Sequence, residues 1–225
     1  MSQASVLSRE EINTIFQLYD REAIKQHRAV IMKNVFAVGI YTGLRVNEIL
    51  NLRIQDIYKT DERFNGIDYR PNQNIEIVKK NLVFKRSKKK TKIVYGDIPM
   101  NSKLRVMLHE YREYLVKHYY HNLLGEPWLF PGRSQKKALL PNVKSYNALS
   151  CRAVNTDFAE KGKLLSIPRF TTHSMRRTAL TQMYRSGVDL RTLQFISGHE
   201  NLKDLQCYLE VDIMDVKTAL EKIPY

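Results

Sequence analysis

Residues 172–209 read THSMRRTALTQMYRSGVDLRTLQFISGHENLKDLQCYL, and this stretch decides the expected fold more than any other. Gly187 and Gly198 interrupt it where helices would end, and Asp189 stands where a helix N-cap is favoured. Apolar residues recur between these positions at helical spacing. The stretch therefore predicts three consecutive helices, over residues 172–186, 189–197 and 201–209.

The rest of the chain is also expected to be mainly helical. Ser8 and Glu11 have the spacing of a capping box, and Gly43 follows a strongly apolar segment. The glycine- and proline-rich stretch 123–141 predicts an irregular connection. We expect one α+β domain over residues 1–225, mainly α, with a small antiparallel β-sheet. Further helices are predicted at about residues 27–41, 48–52, 102–120, 143–160 and 213–222.

The charge of the chain is strongly basic. Its 225 residues include 37 lysines and arginines against 23 aspartates and glutamates, a formal net charge of +14. This surplus favours a polyanionic partner, of which nucleic acid is the usual one. A membrane surface is the main alternative, but no long amphipathic helix with a lysine-rich face is evident.

Targeting and cysteine patterns indicate a cytoplasmic protein. No apolar run approaches the roughly 18 residues of a membrane span. The N-terminal residues MSQASVLSREEI lack the basic start and apolar block of a signal peptide. Cys151 and Cys207 give neither a disulfide framework nor a zinc pattern. We therefore expect no metal and no other cofactor.

The basic residues are concentrated between residues 79 and 92, where no acid occurs. Residues 74–78 alternate before this run, and residues 93–95 follow it as a second extended segment. The pattern predicts a β-hairpin with a basic tip within about residues 74–98, although a solvated loop or a localisation tag would have the same composition. The basic residues of the run are Lys79, Lys80, Lys85, Arg86, Lys88, Lys89, Lys90 and Lys92.

Several polar side chains stand where a purely structural helix would not need them. Arg45 follows closely on a helix-ending glycine, and His173 and Arg176 lie three apart on one helical face. His199 lies in a tight turn, and Tyr208 continues a leucine repeat. Each of these residues also has an ordinary structural explanation. Arg45 could be a surface arginine, and His173 and Arg176 a solvent-facing pair. His199 could be a capping or core histidine, and Tyr208 a core aromatic residue.

Together these side-chain types fit one reaction. Two arginines can neutralise the non-bridging oxygens of a phosphodiester, while histidines and a lysine transfer protons. A tyrosine can attack phosphorus and hold a covalent intermediate. No carboxylate cluster that would hold the Mg²⁺ of a two-metal nuclease is evident in the sequence. The combination favours a metal-free nucleotidyl transfer.

The order of these segments resembles that of the tyrosine recombinases, also called the phage-integrase family. Residues 42–49, TGLRVNEI, resemble the first arginine box, and residues 173–178, HSMRRT, resemble the His-x-x-Arg box. Residues 198–202, GHENL, with Tyr208 nine positions after the histidine, resemble the closing Gly-His and nucleophile. Residues 128–131, WLFP, are similar to the Leu-Phe-Pro that commonly precedes the second half of the catalytic domain.

The resemblance implies a role for each matching residue. Arg45 and Arg176 would clamp the scissile phosphate of double-stranded DNA. His173 would be the general acid/base, and His199 would hydrogen-bond a phosphate oxygen. Tyr208 would attack phosphorus to give a 3′-phosphotyrosyl enzyme and a 5′-hydroxyl.

The resemblance also implies that a hairpin lysine protonates the leaving oxygen. Lys90 is the preferred candidate, because Lys90-Thr91-Lys92 before the next strand looks most like the family hairpin, but Lys88, Lys89 and Lys92 compete with it. Glu48 would support the arginines rather than react. The residues expected to contact DNA are Lys85, Arg86, Lys88, Lys89, Lys92 and Arg177.

The sequence departs from the family pattern in several places. Arg177 stands where many members have a second histidine, and Ser197 where leucine is common. Only 44 residues precede Arg45, too few for the helical core-binding domain that members usually carry. We therefore expect a minimal recombinase whose DNA binding is salt-sensitive or needs a DNA-bending or helper protein.

The last residues imply an assembly. Apolar side chains recur at helical spacing within residues 212–225, which either pack on their own domain or pass to a neighbouring protomer. The resemblance implies exchange within a homotetramer on two DNA sites. Other activities stay open: a type IB topoisomerase-like nicking-closing enzyme, an inactive DNA-binding module and a metal nuclease.

Overall fold

A computed structural model of the protein describes residues 4–58, 79–85, 95–119, 127–134, 146–209 and 220–221. Within these residues the chain is mainly helical with small antiparallel sheets, which confirms the predicted fold class. The helices are α1 (Arg9–Ala23), α2 (His27–Thr42), α3 (Val46–Leu50), α4 (Ile54–Ile57), α5 (Ser102–His118), α6 (Cys151–Leu164), α7 (Thr172–Arg185), α8 (Leu190–Ser197) and α9 (Leu202–Gln206). The strands are β1 (Asn81–Lys85), β2 (Tyr95–Pro99), β3 (Pro131–Ser134) and β4 (Tyr146–Ala148).

The capping residues identified in the sequence bound the helices as predicted. Ser8 and Glu11 form a reciprocal capping box at the start of α1. Asp189 accepts hydrogen bonds from backbone N–H groups at the start of α8. Gly43 and Gly198 end α2 and α8 with φ values of 68° and 63°, a left-handed conformation that favours glycine. Local chemistry is sufficient to define these boundaries.

The predicted hairpin is present as the antiparallel pair β1 and β2. Asn81 lies opposite Pro99, and Lys85 lies opposite Tyr95. The first strand was expected at residues 74–78, which lie outside the described residues, as do residues 86–94. Strand β1 instead lies within residues 79–92, the basic run that was expected to form the tip. In the sequence, β1 and β2 flank residues 86–94, which contain four lysines.

Two sequence predictions were wrong around residues 131–150. The stretch 123–141 contains the strand β3, which pairs with β4 in a second two-stranded sheet. The predicted helix over 143–160 begins only at Cys151, after Ser150 caps it by accepting from the Ala153 N–H. Cross-strand pairing outweighs the local helical pattern here. A Cβ on Gly132 would press against the carbonyl oxygen of Ala148, so the pairing uses the glycine's lack of a side chain.

Helix α2 forms the centre of the core. Its residues are buried on nearly all sides, and it packs against α1, α5 and α7. A Cβ on Gly39 would overlap the Met175 sulfur, so the α2 and α7 backbones can approach closely only because residue 39 is glycine. This contact places the C-terminal end of α2 beside α7.

A second apolar cluster joins the last three helices. Leu180 of α7, Leu193 of α8 and Leu205 of α9 are each fully buried and contact one another. Full burial of a leucine contributes about 1.5–3 kcal/mol, so this cluster fixes α8 and α9 on α7. None of the helices in the described residues is long and apolar enough to cross a membrane.

Candidate active site

Arg176 lies at the centre of the candidate site. It belongs to α7 and is only 1% exposed. Its Nη1 donates to the carbonyl oxygen of Gly43 at 2.7 Å, and its Nη2 donates to that of Ser197 at 2.7 Å. These carbonyls lie at the C-terminal ends of α2 and α8, where backbone oxygens lack helical partners and the helix dipole favours a cation. The guanidinium is therefore fixed between two helix ends.

His199 is buried directly beside this arginine. Its Nε2 lies 3.3 Å from Nη2 of Arg176, and its Nδ1 lies 2.8 Å from Oγ of Ser197. Gly198, in its left-handed conformation, turns the chain sharply between Ser197 and His199. Both ring nitrogens of His199 therefore have polar neighbours.

Tyr208 contacts both of these residues. Its ring centroid lies 4.9 Å from that of His199, and Cζ of Arg176 lies 5.6 Å from its ring centroid. The second distance is within the range of a cation–π interaction. Thr181 holds the tyrosine backbone, since its Oγ1 donates to the Tyr208 carbonyl oxygen at 3.1 Å. Tyr208 packs against the cluster of Leu180, Leu193 and Leu205 but is only partly buried, so it is not a fully buried core residue.

Arg45 is held by Glu48. The backbone N–H of Arg45 donates to Oε2 of Glu48 at 2.9 Å, and Nη1 of Arg45 lies 3.2 Å from Oε1. Glu48 is buried, whereas Arg45 is partly exposed. The carboxylate thus caps the start of α3 and orients the arginine side chain at the same time.

His173 is placed near both arginines. It lies in the first turn of α7, and its pKa is lowered from 6.5 by partial desolvation and then by the positive charges of Arg176 and Arg45. A lowered pKa keeps the imidazole neutral around pH 7, the form that accepts a proton. The structure thus brings Arg176, His199 and Tyr208 into contact and places His173 and Arg45 within electrostatic range.

Arg177 has surroundings unlike those of a phosphate-binding arginine. It is buried, and its Nη1 donates to the carbonyl oxygen of Ala4. This bond, with that from the Leu7 N–H to Thr178 Oγ1 at 2.8 Å, fastens the N-terminal segment to α7. The environment of Arg177 favours a structural role over a contact with DNA.

The other residues predicted to contact DNA belong to the basic run. Lys85 is the last residue of β1, and its side chain lies outside the described part of the structure. Of residues 212–225, only 220 and 221 are described. The residues outside the described ranges include Arg86, Lys88, Lys89, Lys90 and Lys92.

The sequence does not indicate that Ser197 contacts His199 or that Thr181 contacts the backbone of Tyr208. Ser197 was notable only as a replacement for leucine, and nothing in the local pattern indicates that Thr181 holds the backbone of Tyr208. Both are fully buried hydroxyl residues, and buried hydroxyls need hydrogen-bond partners. Among the described residues, no three His, Cys, Asp or Glu side chains are grouped as metal ligands.

The arrangement is suited to an anionic reaction centre. Arg176 and His199 contact Tyr208, and the charges of Arg176 and Arg45 act on His173 nearby. Negative charge that develops on a phosphate here would therefore be stabilised. The two arginines are held by backbone carbonyls and a buried carboxylate, and His199 by a serine hydroxyl. A site organised before its substrate arrives avoids the free-energy cost of reorganisation during the reaction.

Comparison with known proteins identifies relatives of this chain. The family model described as "Phage integrase family" matches residues 5–214. The tyrosine recombinase XerA of Pyrococcus furiosus is 26% identical over 217 residues, which cover 96% of this chain and 60% of that protein. The tyrosine recombinase XerC of Rickettsia bellii is 24% identical over 214 residues, which cover 95% of this chain and 58% of that protein. The chain thus spans about three fifths of the length of these relatives.

Solved structures show the same fold. The crystal structure of XerA recombinase has a TM-score of 0.68 at 19% identity and is matched over 100% of this chain and 68% of that chain. The XerH site-specific recombinase, in a post-cleavage complex with its palindromic difH substrate, has a TM-score of 0.67 at 17% identity. That match covers 96% of this chain and 52% of the XerH chain.

Proposed function

We propose that this chain, which belongs to the phage integrase family, is a site-specific DNA recombinase that works through a 3′-phosphotyrosyl intermediate. The observation that carries the proposal is the contact of Tyr208 with both His199 and Arg176. A nucleophile, a phosphate-binding cation and a hydrogen-bonding imidazole meet there within one buried network. Integration, excision and inversion all use this chemistry.

In the proposed cleavage step, Oη of Tyr208 attacks the scissile phosphorus. The new Oη–P bond replaces the P–O5′ bond, and neutral His173 accepts the phenolic proton. The departing 5′ oxygen takes a proton from a hairpin lysine, for which Lys90 is our candidate. Arg45 and Arg176 stabilise the charge on the non-bridging oxygens, and His199 adds a hydrogen bond to them when its Nε2 carries a proton.

Rejoining reverses the same steps. The 5′-hydroxyl of a DNA strand attacks the phosphotyrosyl bond and releases Tyr208, which regains its proton. Because the phosphodiester is replaced by another phosphodiester-type bond, resealing needs no nucleotide such as ATP. The arginines supply the positive charge that metal ions supply in two-metal nucleases, so we propose a metal-independent reaction.

The proposed partner is double-stranded DNA, bound by a homotetramer on two sites. The net charge of +14 and the basic run at residues 79–92 support DNA as the partner, and the related XerH protein was solved with its difH substrate. Binding through phosphates releases counterions, so affinity should fall steeply as salt increases. A DNA-bending or helper protein would assist if the contacts of this chain alone are too few.

A covalent-trapping assay tests the chemistry. Wild-type protein, Tyr208→Phe and Tyr184→Phe are each incubated with a nicked duplex made from DNA flanking the gene, in the presence of EDTA. Tyr184 is the matched control, since it packs on the same leucine cluster as Tyr208. We expect a protease-sensitive adduct with wild type and Tyr184→Phe only.

A second assay separates recombination from topoisomerase-like activity. A supercoiled circle carrying two candidate sites is incubated with the protein, and the products are mapped by restriction digestion. Rearranged DNA supports the recombinase proposal. Relaxed circles without any exchange of flanking DNA would support a nicking-closing enzyme instead.

A further inference from the structure

We propose that Ser197 is a positioning residue for His199, because its hydroxyl determines which ring nitrogen faces Arg176. The inference rests on the proposed function of Arg176 as a phosphate-binding cation, whose guanidinium His199 faces in the protein without DNA. Ser197 is the last residue of α8 and is fully buried. It stands where leucine is common in the family that the sequence resembles.

The hydrogen-bond directions around His199 follow from the chemistry of its neighbours. An arginine nitrogen can only donate, so Nε2 of His199, 3.3 Å from Nη2 of Arg176, is the acceptor in that contact. The ring proton then lies on Nδ1, which donates to Oγ of Ser197 at 2.8 Å. The serine hydroxyl donates its own hydrogen to the carbonyl oxygen of Gln194 at 3.3 Å. The three hydrogen bonds that link Arg176, His199, Ser197 and Gln194 therefore all run in the same direction.

The serine bond selects one of two ring orientations. Rotating the imidazole by half a turn about its Cβ–Cγ bond would place Cδ2 against the Ser197 hydroxyl and Cε1 against Arg176. Neither carbon replaces the nitrogen it displaces, so the hydroxyl favours the orientation in which Nε2 faces the guanidinium. A leucine side chain at this position could not make that selection.

The side chain and backbone of Ser197 have separable tasks. Its carbonyl oxygen accepts from Nη2 of Arg176 at 2.7 Å. A substitution that changes only the side chain leaves this carbonyl group in place. Replacing the side chain therefore removes the His199 contact while leaving the arginine anchor in place. This separation makes the inference testable by substitution.

The first test measures the rate of covalent-adduct formation on the nicked duplex at saturating DNA, together with the affinity for DNA. We expect Ser197→Ala to slow adduct formation by roughly tenfold, as for the loss of one neutral hydrogen bond, with unchanged affinity. Ser186→Ala is the matched control, since Ser186 follows α7 and donates to the Gln182 carbonyl at 2.8 Å, outside the site. It should keep the wild-type rate.

A pair of variants with the same shape isolates the hydroxyl and guards against misfolding. Ser197→Thr and Ser197→Val differ only in the hydroxyl group, so both add the same bulk. We expect the threonine variant to be faster than the valine variant by a similar factor. Equal rates for the two variants would overturn the proposal.

Nitrogen-15 NMR of the imidazole provides a readout that does not depend on catalysis. In wild type we expect the proton on Nδ1 of His199 and an accepting Nε2, and in Ser197→Ala a shift toward a mixture of tautomers. An unchanged His199 spectrum, or lower thermal stability as the sole effect, would overturn the proposal. If wild type forms no adduct, the recombinase proposal fails, while the spectra still decide whether Ser197 orients His199.

Discussion

Nη1 of Arg176 donates to the carbonyl oxygen of Gly43 at 2.7 Å, across a separation of 133 residues in the chain. Gly43 closes α2 and stands two positions before Arg45, so this bond ties the His-x-x-Arg motif to the first arginine motif. The bond from Nη2 to Ser197 ties the same guanidinium to the Gly-His motif. One buried arginine therefore connects all three motifs, in addition to any contact it makes with DNA.

The first prediction concerns stability. Arg176→Lys keeps the charge but replaces a planar fork by a single ammonium group, which cannot reach both carbonyl oxygens in the same geometry. Loss of a hydrogen bond to a charged group should lower the free energy of unfolding by about 1.5–3 kcal/mol. Denaturant unfolding measures this change. Arg191→Lys, on the exposed surface of α8, is the control and should stay within about 0.5 kcal/mol of wild type; equal stability of the two variants would contradict the anchoring role.

The second prediction concerns His173. Partial desolvation and the charges of Arg176 and Arg45 lower its pKa, so NMR titration of the free protein should give a value below 6.5. Cleavage at saturating DNA that needs the neutral imidazole should fall as pH decreases through the pKa that His173 has in the DNA complex. A bound phosphodiester offsets the positive charges, so DNA should raise the pKa of His173 in the inactive Tyr208→Phe variant.

Arg45→Gln tests the electrostatic cause. Removing one positive charge should raise the pKa of His173 in the free protein. A pKa of His173 at or above 6.5 in wild type, or one that does not respond to DNA, would contradict this account of the general base.

The third prediction identifies the acid that protonates the leaving oxygen. Lys90→Ala should slow cleavage strongly on ordinary DNA. Replacing the bridging 5′ oxygen by sulfur provides a leaving group that needs little protonation, because a thiol is far more acidic than an alcohol. The sulfur substrate should therefore restore the rate of Lys90→Ala.

The neighbouring lysines are the controls for this experiment. Lys88→Ala, Lys89→Ala and Lys92→Ala should weaken DNA binding without being rescued by sulfur. Rescue of one of these variants instead of Lys90→Ala would move the role of general acid to that lysine.

The fourth prediction concerns assembly. If residues 212–225 pass to a neighbouring protomer, deleting them should abolish strand exchange and leave binding to a single DNA site intact. The products of recombination and the mobility of the DNA complex measure the two effects separately. Normal recombination by the truncated protein would rule out this role.

The fold was predictable wherever local chemistry defines it. Ser8, Gly43, Asp189 and Gly198 act on their own helix ends, and their positions in the sequence were sufficient. The sheet formed by β3 and β4 was missed because its strands are short and their pairing is not visible in either segment alone. The helix expected from residue 143 begins later for the same reason.

The sequence indicated the candidate site as a set of residues but not as a network. The spacing of His173, Arg176, His199 and Tyr208 made them candidates, and the family resemblance implied their roles. The carbonyl partners of Arg176 come from residues that carry no sequence signal for that task. Ser197 likewise gained meaning only when the structure placed its hydroxyl 2.8 Å from His199.

We propose that Tyr208 becomes covalently joined to DNA. Mass spectrometry of the trapped adduct after nuclease and trypsin digestion measures this bond directly. We expect a nucleotide linked through its 3′ phosphate to Tyr208 within the tryptic peptide of residues 204–217, which follows Lys203. A nucleotide attached to any other residue, or joined through a 5′ phosphate, would contradict it.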